Sequence, residues 1–455
     1  MTAILDDVQQ NLRHRLMGWG RTNPGVADLV EVSAHEVADA VKGASERGVL
    51  VRGLGRSYGD AAQNSGGLVL RLAGSADHAE TGTVTVPAGV SIDELLRVLV
   101  PQGWFVPVTP GTRFVTIGGA IASDIHGKNH HVEGSFGDHV TTLTLLLADG
   151  SVEAIGPDRR PELFWATVGG MGLTGVILEA TFRLLPIESS RMLVDTCRVP
   201  DLESLFAAMT EGDDRYRYSV AWIDLLARGR QLGRSVLTRG DHAPRAALTS
   251  RASEPLAYGP RQMVTVPPVV PPSGLVKRSS VWAFNEFWFR KAPKQRVDEL
   301  QSIASFFHPL DHVASWNRLY GRRGFVQYQF VVPFGSESAV RAVIEDLLEH
   351  GAASFLAVLK RFGPASSGPL SFPAPGWTLA LDLPVVDGVS DLFRRLDRRV
   401  IDAGGRHYLA KDAHATPEVV RAGYPRLEEW KEVRRRVDPT GRWASDLARR
   451  LHLLD

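Results

Sequence analysis

The chain has 455 residues, of which 52 are Lys or Arg and 51 are Asp or Glu, for a formal net charge of +1. This balance excludes a protein organised around a strongly basic surface for nucleic acid. With 44% hydrophobic and 23% charged residues, the composition is typical of a globular chain, and its length predicts roughly two to four domains. The single cysteine, Cys197, excludes an internal disulfide framework and a zinc site built on several thiolates.

The N-terminal segment predicts neither a signal peptide nor a membrane anchor. Asp6 and Asp7 interrupt any apolar run there, and an export signal needs an unbroken apolar region. Elsewhere no run approaches the roughly 18 apolar residues that span a bilayer. We therefore expect a cytoplasmic protein or one bound peripherally at the plasma membrane.

Residues 1–190 predict a unit of mixed helices and strands with many glycine turns. Capping boxes, in which a Ser and a Glu three residues later bond each other's backbone, predict helix starts at Ser33 and at Ser91. Short apolar runs rich in β-branched residues predict strands over 49–55, 68–72, 83–89, 139–152 and 176–186.

After residue 190, longer amphipathic helices alternate with short strands. Apolar residues recur on one helical face over 338–351 and again over 387–405. We therefore predict a second domain over 191–405, with residues 406–455 returning to the first domain.

Between these parts, residues 255–280 hold six prolines, three basic residues and no acidic residue. Proline at this density disfavours both a helix and a central strand. Two interpretations stay open for this Pro-rich segment: a surface loop packed on the body, or a mobile lid that faces lipid.

Three glycine clusters stand at 52–59, 110–127 and 168–175. Glycine lets backbone N–H groups approach a ligand closely, which suits a pyrophosphate. A Rossmann nucleotide site is not predicted, because the first cluster is Gly-x-Gly-x-x-x-Gly and no helix-forming sequence follows it. One cluster alone would be weak evidence, since glycines more often make plain turns.

Taken together, the order and spacing of the clusters resemble the FAD domain of the vanillyl-alcohol oxidase and para-cresol methylhydroxylase superfamily. The resemblance implies an α+β fold in which an FAD-binding domain (1–190, completed by 406–455) is joined to a substrate domain (191–405) built on an antiparallel sheet flanked by helices. Many covalent members carry a histidine where this chain has Arg56, so the resemblance implies non-covalent FAD. The residues that it implies around the cofactor are Gly53, Gly55, Arg56, Ser57, Tyr58, Gly59, Pro110, Gly111, Thr112, Thr116, Gly118, Gly119, Ala122, Ser123, His126, Gly127, Asn129, Gly175, Ile177, Tyr408 and Lys411.

Further stretches of the sequence, spread along almost the whole chain, resemble a narrower family. They are similar to a family of flavin-dependent polyprenylphosphoryl-ribose 2-oxidases, the flavin subunits of an epimerase that makes the arabinose donor of actinobacterial cell walls. The stretches are 122–140, 164–175, 327–333, 369–377, 408–412 and 444–451.

This resemblance implies oxidation of the ribose 2-hydroxyl of a polyprenyl (decaprenyl) phosphate sugar to a 2-keto sugar. It implies a separate NADH-dependent reductase as the partner that completes epimerisation. Quinone or oxygen would reoxidise the flavin, and the sequence leaves open which of the two does so.

Alternation along two strands predicts a polar sheet face. Gln327 and Gln329 share one face of the strand at 326–332, and Thr378, Ala380 and Asp382 share one face at 377–383. Such a face is either exposed or the wall of a polar cavity. The resemblance implies that substrate is contacted by this face and its neighbours: Gln327, Gln329, Thr378, Ala380, Trp222, Lys360 and Lys128.

Lys411 stands in an apolar stretch, where a lysine is costly to bury without a partner. From the residues alone, Lys411, Lys360 and Lys128 are either surface side chains or active-site cations. The resemblance implies that Lys411 is catalytic at the flavin and the sugar, while Lys360 and Lys128 could meet the substrate phosphate. It places His126 against the flavin, where it could orient the sugar or accept its hydroxyl proton.

Four histidines close in sequence raise the question of a metal. His126, His130, His131 and His139 offer no spacing that puts three ligands on one element with a carboxylate. We therefore expect no metal site.

Three residues depart from the family pattern. Mycobacterial members often have a cysteine in place of Ala380, the residue that covalent nitroaromatic inhibitors attack, so we expect this chain to escape such trapping. Thr378 replaces a usual asparagine and Phe307 a usual tyrosine. Both changes reduce the polar side-chain groups that can reach a substrate in the pocket, so the identity of the sugar lipid stays open.

Two alternatives stay open at this point. An alditol or aldonolactone oxidase of the same superfamily would act on a small soluble polyol, although the covalent-flavin histidine common there is missing. A flavin-binding subunit without catalysis is disfavoured by Lys411, His126 and the two glutamines. A lipid substrate and the Pro-rich segment favour work at a membrane surface, and the resemblance makes a periplasmic location the other expectation.

Overall fold

The computed structural model describes residues 13–76, 82–248 and 254–454. The prediction about a signal peptide at Asp6 and Asp7 lies outside the described residues. Within the described part of the chain, no helix is long and apolar enough to cross a membrane.

The first sheet has four strands: β1 (Arg13–Leu16), β2 (Gly25–Val32), β3 (Val49–Val51) and β4 (Leu68–Leu72). Their order is β1-β2-β4-β3, and the pairs that involve β4 are parallel. The strand predicted over 49–55 ends earlier, at Val51, because the backbone turns into the first glycine cluster and Gly55 adopts a left-handed φ of +64°.

The next strands are β5 (Thr83–Pro87), β6 (Trp104–Phe105), β7 (Val140–Leu146), β8 (Val152–Ile155), β9 (Val176–Arg183) and β10 (Leu185–Pro186). Four of them form an antiparallel sheet in the order β5-β9-β7-β8, and β6 pairs with β10. The strand predicted over 139–152 ends at Leu146, because a turn at Asp149-Gly150, with Gly150 at φ +89°, joins β7 to β8.

The remaining strands are β11 (Arg191–Val199), β12 (Tyr218–Ile223), β13 (Ser235–His242), β14 (Val264–Thr265), β15 (Gln295–Ser302), β16 (Val313–Ala314), β17 (Phe325–Val332), β18 (Ala357–Phe362), β19 (Gly376–Pro384) and β20 (Arg406–His407). Eight of them form one antiparallel sheet in the order β15-β11-β13-β12-β18-β19-β17-β20.

The helices are α1 (Val37–Lys42), α2 (Ile92–Leu99), α3 (Ile117–Ala122), α4 (His130–Glu133), α5 (Pro161–Thr167), α6 (Leu202–Gly212), α7 (Arg278–Lys291), α8 (Ile303–Phe307), α9 (Glu337–His350), α10 (Val389–Asp402), α11 (Pro417–Gly423), α12 (Leu427–Val437) and α13 (Asp446–Arg450). Short 3-10 helices lie at Val100–Gln102, Phe136–His139, Asp213–Arg215, Gly229–Gln231, Arg245–Ala247, Pro309–His312 and Trp316–Tyr320.

The two predicted capping boxes behave differently. At α2, the Ser91 backbone N–H donates to Glu94 Oε2 (2.8 Å) and the Glu94 N–H donates to Ser91 Oγ (3.2 Å), so the box is confirmed. The helix predicted from Ser33 begins only at Val37. The Ser33 hydroxyl donates to the carboxylate of Glu36 and accepts no helix N–H. Residues 33–36 therefore form an isolated turn ahead of α1.

Helices cover one face of the eight-stranded sheet. The predicted helices at 338–351 and 387–405 are confirmed as α9 and α10, and with α6 they bury Val343, Leu396 and Phe206 against Phe330 and Leu381 of the sheet. A buried side chain of this size contributes roughly 1.5–3 kcal/mol. The opposite face is therefore left for the polar residues of β17 and β19.

The C-terminal segment packs on the N-terminal part of the chain. Trp430 of α12 is fully buried and its indole N–H donates to Ala166 O of α5 (2.9 Å). The Ala444 N–H donates to Val49 O (3.0 Å), and the Val49 N–H donates to Arg442 O (2.8 Å). The α+β fold class and its antiparallel sheet with flanking helices are confirmed.

The Pro-rich segment runs along residues 312–321. Val264–Thr265 pairs in parallel with Val313–Ala314, and the Leu275 N–H donates to Leu319 O (2.7 Å). Met263, Val264 and Val269 nevertheless face solvent, Val269 being 86% exposed, whereas Val266 is buried and Leu256 and Tyr258 pack against the main core. The segment is thus held through its backbone and through some of its side chains, while other apolar side chains stay exposed.

Candidate active site

The first two glycine clusters meet beside α3. A Cβ built on Gly53 would lie 2.3 Å from Thr116 Oγ1, so only glycine allows this approach of the two loops. Thr116 caps α3 by accepting the Gly119 N–H (3.2 Å). Tyr58 and Gly59 tie the first loop to the stretch around Lys411, since the Tyr58 N–H donates to Ala410 O (3.1 Å).

The residues at these loops fit a flavin dinucleotide. Helix α3 buries Ile117 and Ala120, while its free side presents half-exposed small residues, namely Gly118, Gly119, Ala122 and Ser123. No atom lies within 4 Å of a Cβ built on Gly111. Backbone N–H groups without overlying side chains are what a pyrophosphate needs.

Two buried polar atoms at these loops also await a partner. Asn129 Oδ1 and Arg56 Nε have no hydrogen-bond partner among the described residues. Buried polar atoms are rarely left unsatisfied, so both indicate a ligand. The Arg56 guanidinium lies over the Trp19 ring, 3.9 Å from its centroid, which leaves its edges available for a polar group.

The remaining predicted cofactor residues differ in what surrounds them. Thr112 Oγ1 donates to Asp311 Oδ1 (2.7 Å), and Pro110 is half exposed. A Cβ on Gly175 would lie 2.7 Å from Leu146 O, so chain packing alone explains that glycine, and Ile177 is buried in β9. Contact of Gly175 and Ile177 with the cofactor stays a prediction.

Strand register places the predicted substrate residues on one sheet face. Gln329 lies opposite Ala380, and Gln327 lies opposite Asp382. On the other side of β19, Thr378 lies opposite Lys360 and Ala380 lies opposite Val358, both in β18. Val358 in turn lies opposite Trp222 of β12. Paired residues share a face, so this face includes Trp222, Val358, Lys360, Thr378, Ala380, Asp382, Gln327 and Gln329.

His126 connects this face to the second glycine cluster. The structure places Gln329 Nε2 2.9 Å from His126 Nε2 and Lys360 Nζ 3.0 Å from His126 Nδ1. The imidazole is otherwise enclosed by the rings of Phe362, Phe372 and Tyr408. Burial, together with the charges of Lys360, His130 and Lys411, lowers the pKa of His126 well below its usual value, so the ring is neutral.

The two contacts of His126 define how a proton is shared. A neutral imidazole has one N–H donor and one acceptor nitrogen. Two arrangements fit these contacts: Gln329 donates to Nε2 and a neutral Lys360 accepts from Nδ1, or Lys360 donates to Nδ1 and the Gln329 amide oxygen accepts from Nε2. Burial and the charges of Lys411 and Lys128 lower the pKa of Lys360 to about 7, which makes that neutral form accessible.

Lys411 lies in the turn after β20, close enough to the polar face for the charge of Asp382 to act on it. Its Nζ lies 4.1 Å from the centroid of the Tyr58 ring, and among the described residues it has no hydrogen-bond acceptor. Burial lowers the pKa of Lys411 to about 8, against the opposing charge of Asp382. A half-buried amine with this pKa can switch between acceptor and cation near neutral pH.

Asp382 is a site residue that the sequence interpretation placed on the right face without giving it a role. Its Oδ1 accepts the Gln327 amide N–H (2.6 Å), while Oδ2 is buried without a partner among the described residues. Burial raises the pKa of Asp382 to about 7. The alternation at Thr378, Ala380 and Asp382 was the signal that could have identified it.

Lys128 approaches from the second glycine cluster. Its Nζ donates to Phe306 O and lies 4.2 Å from the centroid of the Phe306 ring. Burial lowers the pKa of Lys128 to about 7. Burial disfavours the charged form of Lys128, and the charge of Lys128 in turn disfavours the charged form of Lys360; an anionic ligand would oppose both effects.

The departures from the family pattern lie at and beside this face. Thr378 Oγ donates to Phe330 O (2.8 Å) and accepts from Gln329 (3.3 Å), so its hydroxyl is fully used within the protein. Phe307 is buried among aromatic rings near Lys128. Trp222 is half buried and donates its indole N–H to Phe355 O (3.0 Å).

The other histidines near His126 have contacts within the protein. The Gly363 N–H donates to His130 Nδ1 (3.1 Å), and His139 Nε2 lies 2.9 Å from Glu133 O. Across the described residues, no group of three or more His, Cys, Asp or Glu side chains is arranged to hold a metal ion.

Comparison with known proteins identifies the flavin domain and a full-length relative. A family model described as an FAD binding domain matches residues 30–156, and one described as D-arabinono-1,4-lactone oxidase matches residues 383–451. The chain is 47% identical to decaprenylphosphoryl-beta-D-ribose oxidase of Mycolicibacterium smegmatis, over 97% of this chain and 98% of that protein. It is 41% identical to an uncharacterised protein of Streptomyces coelicolor (80% and 100% covered) and 32% identical to a putative D-arabinono-1,4-lactone oxidase of Neurospora crassa (31% and 26% covered).

The fold, the loops that fit a flavin dinucleotide and these matches define an FAD-dependent oxidoreductase. Identity at this level along nearly the whole length is decisive for membership. The chain belongs to the decaprenylphosphoryl-β-D-ribose oxidase family.

Proposed function

We propose that this chain oxidises the 2-hydroxyl of the ribose in a polyprenylphosphoryl-β-D-ribose to a ketone. The observation that carries the proposal is the free amine of Lys411 beside a polar sheet face that lies against the flavin loops. Full-length identity to a relative named for this substrate supports it. When bound, FAD supplies the hydride acceptor for the carbon that loses its hydrogen.

The proton chemistry falls to Lys411. As a neutral amine it can accept the proton of the 2-hydroxyl, because its pKa of about 8 lies close to neutral pH. Both nitrogens of His126 already face protein groups, so His126 acts as a positioning residue for Gln329 and Lys360. Gln329 and Gln327 are placed to orient the sugar hydroxyls.

In this proposal, Lys128 and Lys360 hold the phosphate. Lys128 directly follows the second glycine cluster, and Lys360 lies in β18. The pKa of each is lowered to about 7, so each loses its proton more readily than an ordinary lysine. A phosphodiester carries one negative charge, which favours both ammonium forms and adds charge-assisted hydrogen bonds.

The partners follow from the same proposal. The 2-keto product needs a hydride donor to become the epimer, and an NADH-dependent reductase is the class of partner that supplies it. Quinone or oxygen would take up the electrons from the reduced cofactor. Work at a membrane surface, from the cytoplasmic or the periplasmic side, is part of the proposal because the substrate is a lipid.

A second candidate is a lactone or alditol oxidase that acts on a small soluble polyol. The match of residues 383–451 to the D-arabinono-1,4-lactone oxidase model is the observation behind it, whereas the full-length identity supports the first candidate over it. The two candidates differ in whether the substrate carries a lipid phosphate.

The test is an anaerobic visible spectrum of the holoenzyme before and after addition of polyprenylphosphoryl-ribose. We expect the flavin band to bleach. Bleaching only with a simple alditol would establish the second candidate, and a folded protein that does not take up FAD would contradict both.

The pH dependence should separate the roles of the lysines. We expect kcat to increase as pH is raised through about 8, because Lys411 must be neutral to accept a proton. We expect KM to increase above about 7, because Lys128 and Lys360 lose their charges in the free enzyme. Initial rates with a redox dye as acceptor measure both parameters, and a kcat that falls with pH over this range would contradict the role of Lys411.

Arg56 predicts that the FAD is released intact. An arginine cannot form the covalent bond that a histidine forms to the flavin, and here its guanidinium lies over Trp19. Acid precipitation of the holoenzyme should therefore leave the yellow colour in the supernatant. Colour that stays in the pellet would indicate a covalent link at another residue.

A further inference from the structure

Helix α7 is an aromatic surface without a partner. Over its 14 residues, only Val281 and Asn285 are buried. Trp282 is 59% exposed and Phe287 61% exposed, and Phe284 and Trp288 are exposed as well. A helix on a globular body normally turns a much wider apolar stripe inward, and a group of exposed aromatic residues marks an interaction surface.

The helix is held in this orientation by a polar cluster beneath it. Asn285 donates its amide N–H to Asp224 Oδ1 (2.7 Å), and Asp224 pairs with Arg234 (2.7 Å). Glu286, the one acidic residue of α7, pairs with Arg234 and with Arg290 (2.5 Å). The aromatic side chains are therefore presented by anchored backbone, and the only negative charge of the helix is neutralised.

Basic residues frame the aromatic side chains at both ends. Lys277 and Arg278 stand at the start of α7, and Arg290 and Lys291 stand at its end, all four exposed. From residue 255 to 291 the chain has five basic residues and one acidic residue, so this stretch carries +4 in a chain whose total is +1. The rest of the chain is net negative, so positive charge is concentrated on this side.

We infer that the exposed aromatic and basic side chains of residues 277–291, here called the aromatic–basic face, dock on an anionic lipid bilayer. Trp and Phe insert at the boundary between headgroups and acyl chains, while Lys and Arg attract anionic headgroups. The proposed function supplies the reason for such docking, because a polyprenyl substrate resides in a bilayer. Docking itself can be measured without turnover, so the two proposals can fail separately.

An apolar groove opens beside the start of the helix. It has a volume of about 920 Å³, and Lys277 and Arg278 form its rim. Val276, Tyr320 and Leu383 lie on its walls, and Leu383 follows the active-site residue Asp382 in β19. A lipid chain that leaves the bilayer at the aromatic–basic face would thus meet an apolar groove on the way to the active-site strand.

Charge argues against a second copy of the chain as the occupant. A two-fold contact places the same patch of both copies together. Residues 277–291 hold four basic residues and one acidic residue, so two patches of +3 would then face each other, which is unfavourable. An anionic bilayer instead meets the positive face with opposite charge.

The experiment is flotation of the holoenzyme, without substrate, on vesicles of phosphatidylcholine with and without about 30 mol% phosphatidylglycerol. We expect binding to the anionic vesicles and at least about tenfold weaker binding to the neutral ones. The variant Trp282→Ala/Phe287→Ala should bind anionic vesicles at least about tenfold more weakly. Phe334→Ala is the control. It removes an exposed aromatic residue that lies outside the aromatic–basic face, just beyond the C-terminal end of β17, and it should leave binding unchanged.

Retained FAD and an unchanged melting temperature establish that the double variant is folded. Lys277→Gln/Lys291→Gln offers a second test, because it should abolish the preference for anionic vesicles. Wild-type binding by both double variants would overturn the inference. It would also be overturned by a dimer that dissociates in Trp282→Ala/Phe287→Ala, or by binding only to a reductase partner, without vesicle binding by the wild type.

Discussion

Replacing Lys411 with Met should abolish turnover and leave FAD bound. Lys411 Nζ has no hydrogen-bond acceptor among the described residues and lies over the Tyr58 ring, so the amine is available to substrate. Methionine keeps an unbranched apolar side chain over that ring and removes the proton acceptor. Loss of a positioned general base costs about 10²–10⁴-fold in rate. Anaerobic single-turnover bleaching measures the rate, and the visible spectrum measures FAD content.

Two further variants define what Lys411 contributes. Lys411→Arg keeps a positive charge but cannot accept a proton near neutral pH. If Lys411 is the base, we expect the arginine variant to be as impaired as the methionine variant; substantial activity with arginine would assign Lys411 an electrostatic role instead. Lys42→Met, at an exposed lysine of α1, is the matched control. Full activity in Lys411→Met would remove Lys411 from the mechanism.

The polar sheet face could be predicted from sequence because it depends on a local rule. Alternation along a strand places Gln327 with Gln329, and Thr378 with Ala380, wherever the strand lies. The register that brings Gln329 opposite Ala380, and Gln327 opposite Asp382, depends on how β17 and β19 align. Sequence alone could not fix that register, so the bond between Gln327 and Asp382 appears only in the structure.

Contacts between distant parts of the chain were beyond a reading of local pattern. The Lys411 amine lies over Tyr58 although the two residues are far apart in sequence, and His126 joins Gln329 to Lys360 across two domains of the predicted division. The family resemblance placed Tyr58, His126 and Lys411 at one cofactor, but it gave no partner for any of them. The contact between Lys360 and His126 appears only in the structure.

Helix α7 gave no periodic signal. Its aromatic residues are spread around the helix, and only Val281 and Asn285 are buried, so no apolar stripe alternates with a polar one. The prolines before the helix predict a loop over 255–280, which overlaps the first residues of α7. The stabilising contacts come from Asp224 and Arg234, residues that no local pattern connects to the helix.

Replacing Lys128 with Met should weaken binding of the phosphorylated substrate and spare the chemical step. Lys128 lies at the edge of the face, where its Nζ donates to Phe306 O and makes no contact with His126 or Lys411. A charge-assisted hydrogen bond of this kind contributes about 1.5–3 kcal/mol, so KM should rise roughly 10–150-fold while kcat changes little. Steady-state kinetics with a short-chain polyprenylphosphoryl-ribose measure both.

Lys360 should behave differently, and the contrast tests the assignment of both lysines. Lys360→Met removes a phosphate contact and also the partner of His126 Nδ1, so both KM and kcat should worsen. Neither substitution should raise KM for a ribose derivative that lacks the phosphate. An equal loss with that unphosphorylated sugar would mean that the lysines serve the sugar rather than the phosphate. The positive charge between β18 and the second glycine cluster would then have no anion to meet, and the soluble-polyol oxidase would become the better account of the site.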